Sequence, residues 1–200
     1  MKQMRLSSTG FELATKRTRK REFLDEMNLV VPWSELVGLI EPHSSTSRTG
    51  RPTFAIASML HIYFIQQWFG LFDPAMEEVL HDIPLYREFA QLDVGATRLP
   101  DESTVLRFRH LLEERNLSAQ LLTTINANLI SHGLLLKVGT VVDASIRAKV
   151  EYSFWVIKCQ LGYREVRYKG LAKNTAQMIA LFALCNLWMV RKRILQGTTG

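Results

Sequence analysis

Thr140-Val141-Val142-Asp143-Ala144-Ser145-Ile146-Arg147-Ala148-Lys149-Val150-Glu151 decides how this chain is read, because a strand-like run passes there directly into a basic helix. Val138 to Val142 is a short β-branched run, interrupted only by Gly139 and made polar at Thr140, and it ends at the Asp143 carboxylate. Strands of this kind commonly present functional groups at their C-terminal edge, which gives Asp143 the placement of a metal ligand. An Asp after a Val run also serves as a turn residue or N-cap. From Ile146 the period changes. Val150, Phe154 and Ile157 recur at helical spacing, while Arg147, Glu151 and Lys158 fall together on the opposite face. Taken alone, those three make an ordinary solvated helix face with one i, i+4 ion pair.

Upstream of this stretch the signals are helical. Lys16, Arg17, Arg19, Lys20 and Arg21 form a basic cluster leading into an amphipathic helix through about Asn28. They are candidate contacts to a DNA backbone, and a solvated helix start accounts for them equally well. A second helix follows Pro32 and ends before Glu41-Pro42. His43 to Pro52, rich in Ser and Thr, predicts a polar loop. Thr53 to Phe69 carries Phe54, Ala57, Leu60, Phe64 and Trp68 and predicts a buried helix. With His61, Gln66 and Gln67 inside it, this run makes a poor membrane span.

Asp73-Pro74 predicts an N-cap followed by proline at the first helical position, and a short helix follows from Pro84 to about Gln91. After the turn at Gly95 to Pro100, Asp101 is expected to cap a helix through about Glu114 that displays Arg107, Arg109 and His110. The arrangement resembles a helix-turn-helix, in which Ser103, Thr104, Arg107 and His110 would approach bases or phosphates, although many helical bundles give the same pattern. Leu117 to about His132 predicts a further helix stopped by Gly133. Leu134 to Val142 is the one convincing strand, and it lacks ladder partners for its backbone groups. The tail from Leu171 to about Leu195 predicts a long helix, apolar on several sides, with Arg191-Lys192-Arg193 near its C-terminus where cations suit the helix dipole.

The 200 residues suffice for one good domain or two small ones, and the apolar content is ample for a core. The net charge of +6 is uneven: residues 1–140 hold 15 Lys/Arg against 16 Asp/Glu, and residues 141–200 hold 10 against 3. Such asymmetry suits a polyanion such as DNA. Cys159 and Cys185 are isolated and lack metal-ligand spacing, which points to a reducing, cytoplasmic setting. The five histidines are scattered and form no zinc pattern. Met1 to Leu13 has no continuous apolar run, so no signal peptide or membrane segment is expected.

Certain motifs carry a resemblance. Arg147-Ala-Lys-Val-Glu151, Phe154-Trp-Val-Ile-Lys158, Gln160-Leu-Gly-Tyr and Tyr168-Lys-Gly-Leu-Ala-Lys-Asn174 resemble the C-terminal signature of bacterial insertion-sequence transposases of the IS-five family. Gly139-Thr-Val-Val-Asp143-Ala is similar to the family strand that carries the first acid of an Asp-Asp-Glu triad. Pro32-Trp33, Gly50-Arg51-Pro52, Met76-Glu77, and Leu99-Pro100-Asp101 through Arg107-Phe108-Arg109-His110 resemble its helical N-terminal domain. The resemblance implies DNA transposition, with binding of transposon ends and Mg²⁺- or Mn²⁺-dependent strand cleavage and transfer. It makes Asp143 and Glu151 metal-binding acids, with Arg147 and Lys158 beside them.

One part of the pattern is missing. In the family a long segment, bearing most of an RNase H-like sheet and the second catalytic Asp, separates the first Asp from the Glu. Here seven residues stand between Asp143 and Glu151, and no Asp lies between Asp143 and Glu165. Along a continuous helix the two carboxylates would lie roughly 12 Å apart, whereas ions in two-metal sites are only about 4 Å apart. The expected product is therefore a mainly α protein. A helical N-terminal transposase domain at 1–133 precedes a truncated catalytic remnant at 134–200 with one strand and helices. The acids would then be vestigial and no metal would be held productively. Three outcomes stay open: a transposase descendant without autonomous activity, a DNA-binding or dimer-forming fragment that pairs with itself or with full-length enzyme, and an unstable relic.

Overall fold

Residues 17–44, 53–92, 98–134 and 151–197 are described by the structure, a computed structural model. The chain is mainly helical, and no strand occurs among the described residues. The expected strand at 134–142 lies almost wholly outside them, as do Asp143 and Arg147.

Helix α1 (Arg19–Val30) begins at Thr18, whose hydroxyl accepts from the Arg21 amide at 3.2 Å, and it buries Leu24, Met27 and Val30 along one stripe. Pro32 leads into α2 (Trp33–Ile40), which buries Leu36 and Ile40 before a 3₁₀ turn at Glu41–His43. Helix α3 (Ile56–Phe69) is buried on every side from Ser58 to Trp68. A helix apolar all round belongs at the centre of a bundle. Around it stand α2, α4 (Asp73–Asp82), α5 (Pro84–Phe89) and α6 (Glu102–Glu114). Helix α7 (Leu117–Ser131) follows. Residues 151–155 are helical and run into a π-helical turn at Val156–Gln160, after which α8 (Leu171–Gly197) closes the bundle. No helix is long and apolar enough to cross a membrane among the described residues.

The polar side chains of α3 are only partly bonded inside the bundle, with His61 Nε2 and Trp68 Nε1 buried without a hydrogen-bond partner. His61 Nδ1 donates to the Ala57 carbonyl at 2.7 Å, and its ring stacks on Trp33 with centroids 3.7 Å apart and meets Phe89 edge-on. Burial outweighs the carbonyl bond and holds the imidazole pKa below its ordinary value. The unfolded chain therefore binds the His61 proton more readily, so this contribution to stability is full above the ordinary histidine range and is lost as pH falls through it. The stability of the wild type minus that of His61→Phe, read by urea denaturation, is expected to fall between pH 7 and 5, with a slope approaching about 1.4 kcal/mol per pH unit at most.

Helix α8 packs chiefly on α7 and α1. Gln177 shares a small cavity with Ser118, and Asn186 donates to Asn126 Oδ1 at 2.8 Å, so α8 and α7 run in the same direction. Helices joined by short loops are antiparallel neighbours; the long connection here permits the parallel pairing. At the far end Arg191 meets Glu26 of α1 at 3.0 Å, with Lys192 on the same carboxylate. Burial pushes the Glu26 carboxyl up, but the bonds from Lys192 and Arg191 prevail and its pKa is lowered. Val156, Ile157, Leu161, Leu181, Leu184 and Leu187 belong to the same buried cluster as Leu24, Leu60 and Leu121. The core thus draws on both sides of the expected division at 133/134.

Candidate nucleic-acid interface

Asp101 starts α6 as expected. Its carboxylate accepts from the Thr104 amide at 2.7 Å and the Ser103 hydroxyl at 3.0 Å. Hydrogen bonds from Thr104 and Ser103 lower its pKa to about 2. Asp73, expected to play the same part for α4, does not: it is the first helical residue, with Phe72 at the cap position and no side-chain cap bond. Its carboxylate faces Arg109 at 2.9 Å and accepts from Gln66 at 3.0 Å.

The fixed first turn of α6 organises the residues after it. Arg107 is exposed, and its guanidinium folds back to donate to the Ser103 carbonyl at 3.2 Å and the Thr104 hydroxyl at 3.1 Å. Arg107 and His110 border an open groove of about 680 Å³ shared with His43, Phe54, Arg98 and Phe108. Arg98 lies over the Phe54 ring at 4.3 Å. Sequence reading missed His43 and Phe54 as groove partners because nothing local in the chain brings them beside α6, and it missed Arg98 although that residue immediately precedes the Leu99-Pro100-Asp101 start of the helix.

Arg109 departs from expectation. Two residues on from Arg107, it points to the other side of the helix. It is 8% exposed, pairs with Asp73, lies 3.6 Å from Glu113, and stacks over Tyr168 at 4.2 Å. Its charge is spent inside the protein.

The basic cluster is largely committed too. Arg17 pairs with Asp25, Arg21 makes a two-pronged contact to Glu88 at 3.0 and 2.7 Å, and Lys20 sits over the rings of Phe69 and Tyr86. Arg19 is exposed, and Lys16 lies outside the described residues. Glu151 and Lys158 are exposed on the helical turn that precedes α8. No three His, Cys, Asp or Glu side chains gather to hold a metal ion among the described residues. The strap between the π turn and α8 (residues 161–170) passes the end of α3 at Gly70, which has φ of +63° and faces the Arg167 guanidinium, 2.7 Å from where a Cβ would stand.

On the far side of α6 the charge reverses. Glu77, Glu78, Asp82 and Glu102 line a second hollow, and the Glu102 amide donates to Glu77 at 2.7 Å. One helix thus separates a groove of mixed charge, with Arg98, Arg107 and His110 beside Asp101 and Glu114, from a mainly acidic one.

No solved structure matches the chain. Residues 11–111 match the family described as Transposase domain (DUF772), a span that runs from before α1 to the middle of α6 and contains Arg107, Arg109 and His110. That match covers half of the chain, and the protein belongs to this transposase-domain family.

Proposed function

We propose that this transposase-family chain binds DNA without cutting it, and that it derives by internal deletion from an Asp-Asp-Glu transposase of the IS-five kind. The observation that carries the binding half is the split of α6, with Arg107 and His110 outward along one groove and Arg109 locked inward. A phosphate backbone approaching α6 is repelled by Glu77, Glu78, Asp82 and Glu102 on one side, whereas the other offers Arg98, Arg107 and His110 beside Asp101 and Glu114, which favours approach from that side. Arg19 is a further contact on the exposed start of α1, and Lys16 precedes it in sequence. Binding of this kind would let the chain compete with a full-length relative at element ends, or pair with it there.

The loss of cleavage rests on the short interval from Asp143 to Glu151 and on the missing second Asp. Glu151 stands exposed, and no group of three His, Cys, Asp or Glu side chains gathers around it among the described residues; Asp143 lies outside them.

The test is a gel-shift titration on DNA carrying inverted terminal repeats, across a salt series, with Mg²⁺ or Mn²⁺ cleavage read in parallel. Binding should weaken steeply with salt, as counterion release demands. Arg107→Ala should reduce affinity across all sequences and lower the salt slope by about 1. Divalent-dependent cleavage abolished by Asp143→Ala or Glu151→Ala would overturn the non-cutting half, and salt-insensitive or absent binding would overturn the other.

A further inference from the structure

We infer that a single resident water occupies the small space between α3, α6, α7 and α8 and completes the hydrogen bonding of Arg109. The space is bounded by Tyr63 and Gln67 of α3, Arg109 of α6, Ser118 of α7, and Tyr168 and Gln177 from the strap and α8. It leaves about 10 Å³ for the centre of a water, room for one molecule.

The lining chemistry matches that occupant. The Arg109 terminal nitrogens face Asp73, at 2.9 and 3.4 Å, but Nε–H has no acceptor within hydrogen-bonding reach, Glu113 lying at 3.6 Å. Gln177 turns its amide nitrogen toward Gln67, leaving Oε1 buried and without a donor. Ser118 Oγ lies beside the Tyr63 hydroxyl without closing a bond of normal geometry. One donor, one acceptor and one hydroxyl that can serve either way belong to side chains lining the same space, and three bonds are what a buried water typically makes. A cation is excluded by the guanidinium, an anion by Glu113 and the Gln177 carbonyl, and a methyl group would leave all three atoms unsatisfied. The water ties α8 to α6 and α7 at the point where Tyr168 covers Arg109, and it does so whether or not the protein binds DNA.

Water–protein NOE and ROE spectra on the full ¹⁵N-labelled chain test this. The expected result is a cross-peak between the Arg109 Nε–H and a water resident for longer than nanoseconds, lost in Gln177→Leu, which removes the acceptor and fills the space. Ser118→Ala and Tyr63→Phe separate a resident water from relay through a hydroxyl proton, and the cross-peak should persist in both. Absence of the cross-peak in the wild type, its survival in Gln177→Leu, or its disappearance in either hydroxyl variant overturns the inference. Should Gln177→Leu fail to fold, the wild-type spectrum and the two hydroxyl variants still decide it.

Discussion

Arg109→Ala is expected to lower the unfolding free energy by about 3–5 kcal/mol, because removing one member of a buried charge cluster leaves its partners uncompensated. Asp73 and Glu113 keep only 16% and 14% of their side-chain surface, and Arg109 itself only 10%. The loss should far exceed that from breaking the exposed Arg17–Asp25 pair, for which surface measurements give about 0–1 kcal/mol. Urea denaturation at neutral pH reads both. Arg109→Lys should fall between, since an ammonium keeps the charge but cannot meet two carboxylates in a plane while stacking on Tyr168. Adding Asp73→Asn to Arg109→Ala should recover part of the loss by removing one stranded charge. An Arg109→Ala variant within about 1 kcal/mol of wild type would place these carboxylates in a far more aqueous setting than their burial implies. The same contrast separates architecture from recognition: Arg107→Ala touches exposed atoms and should leave stability nearly unchanged while weakening DNA binding.

What the sequence revealed depended on how local the deciding interaction was. Helix α3 was legible because an apolar run of that length with no polar face has one stable place, the middle of a bundle. The Asp101 cap was legible because its partners, Ser103 and Thr104, lie within three residues. Asp73 has the same local signature and a different fate, since Arg109, 36 residues away, claims its carboxylate more strongly than the first turn of α4 can. Lys20 and Arg21 looked like free cations, yet their partners Tyr86 and Glu88 lie on α5. Arg107 and Arg109 are two residues apart, so helical geometry alone assigns them to different faces, but which face meets the protein depends on Asp73 and Tyr168. The apolar sides of α8 announced burial without naming α7 and α1 as the surfaces that cover it. Asp143, which the motif resemblance would make the first acid of an Asp-Asp-Glu triad, lies outside the described residues, so its chemistry rests on the motif alone.

Leu184→Ala should test whether that last helix belongs to the same cooperative unit as the transposase domain before it. Leu184 is 1% exposed, and truncating a fully buried leucine costs about 2–5 kcal/mol, depending on how far the site can collapse. Because Leu184 joins the buried cluster that includes Leu24 of α1 and Leu121 of α7, the loss should spread through the molecule rather than stay in the tail. Circular dichroism at 222 nm and tryptophan emission, dominated by residues that include the buried Trp68 of α3, should therefore shift together to lower denaturant. Amide exchange in α1 and α7 should quicken in step with that in α8. The Glu26 contacts to Arg191 and Lys192 act in the same direction, fastening the last turns of α8 to the first helix. Early loss of α8 alone, with α1 and α7 still protected, would instead make residues 151–197 a separately melting appendage. The bundle would then owe its stability to the helices before the strap, and a deletion near Asp143 would have cost the fold little. Coincident transitions would mean that the tail is structural, which gives residues 171–197 a physical role in the fold whatever part Asp143 and Glu151 play.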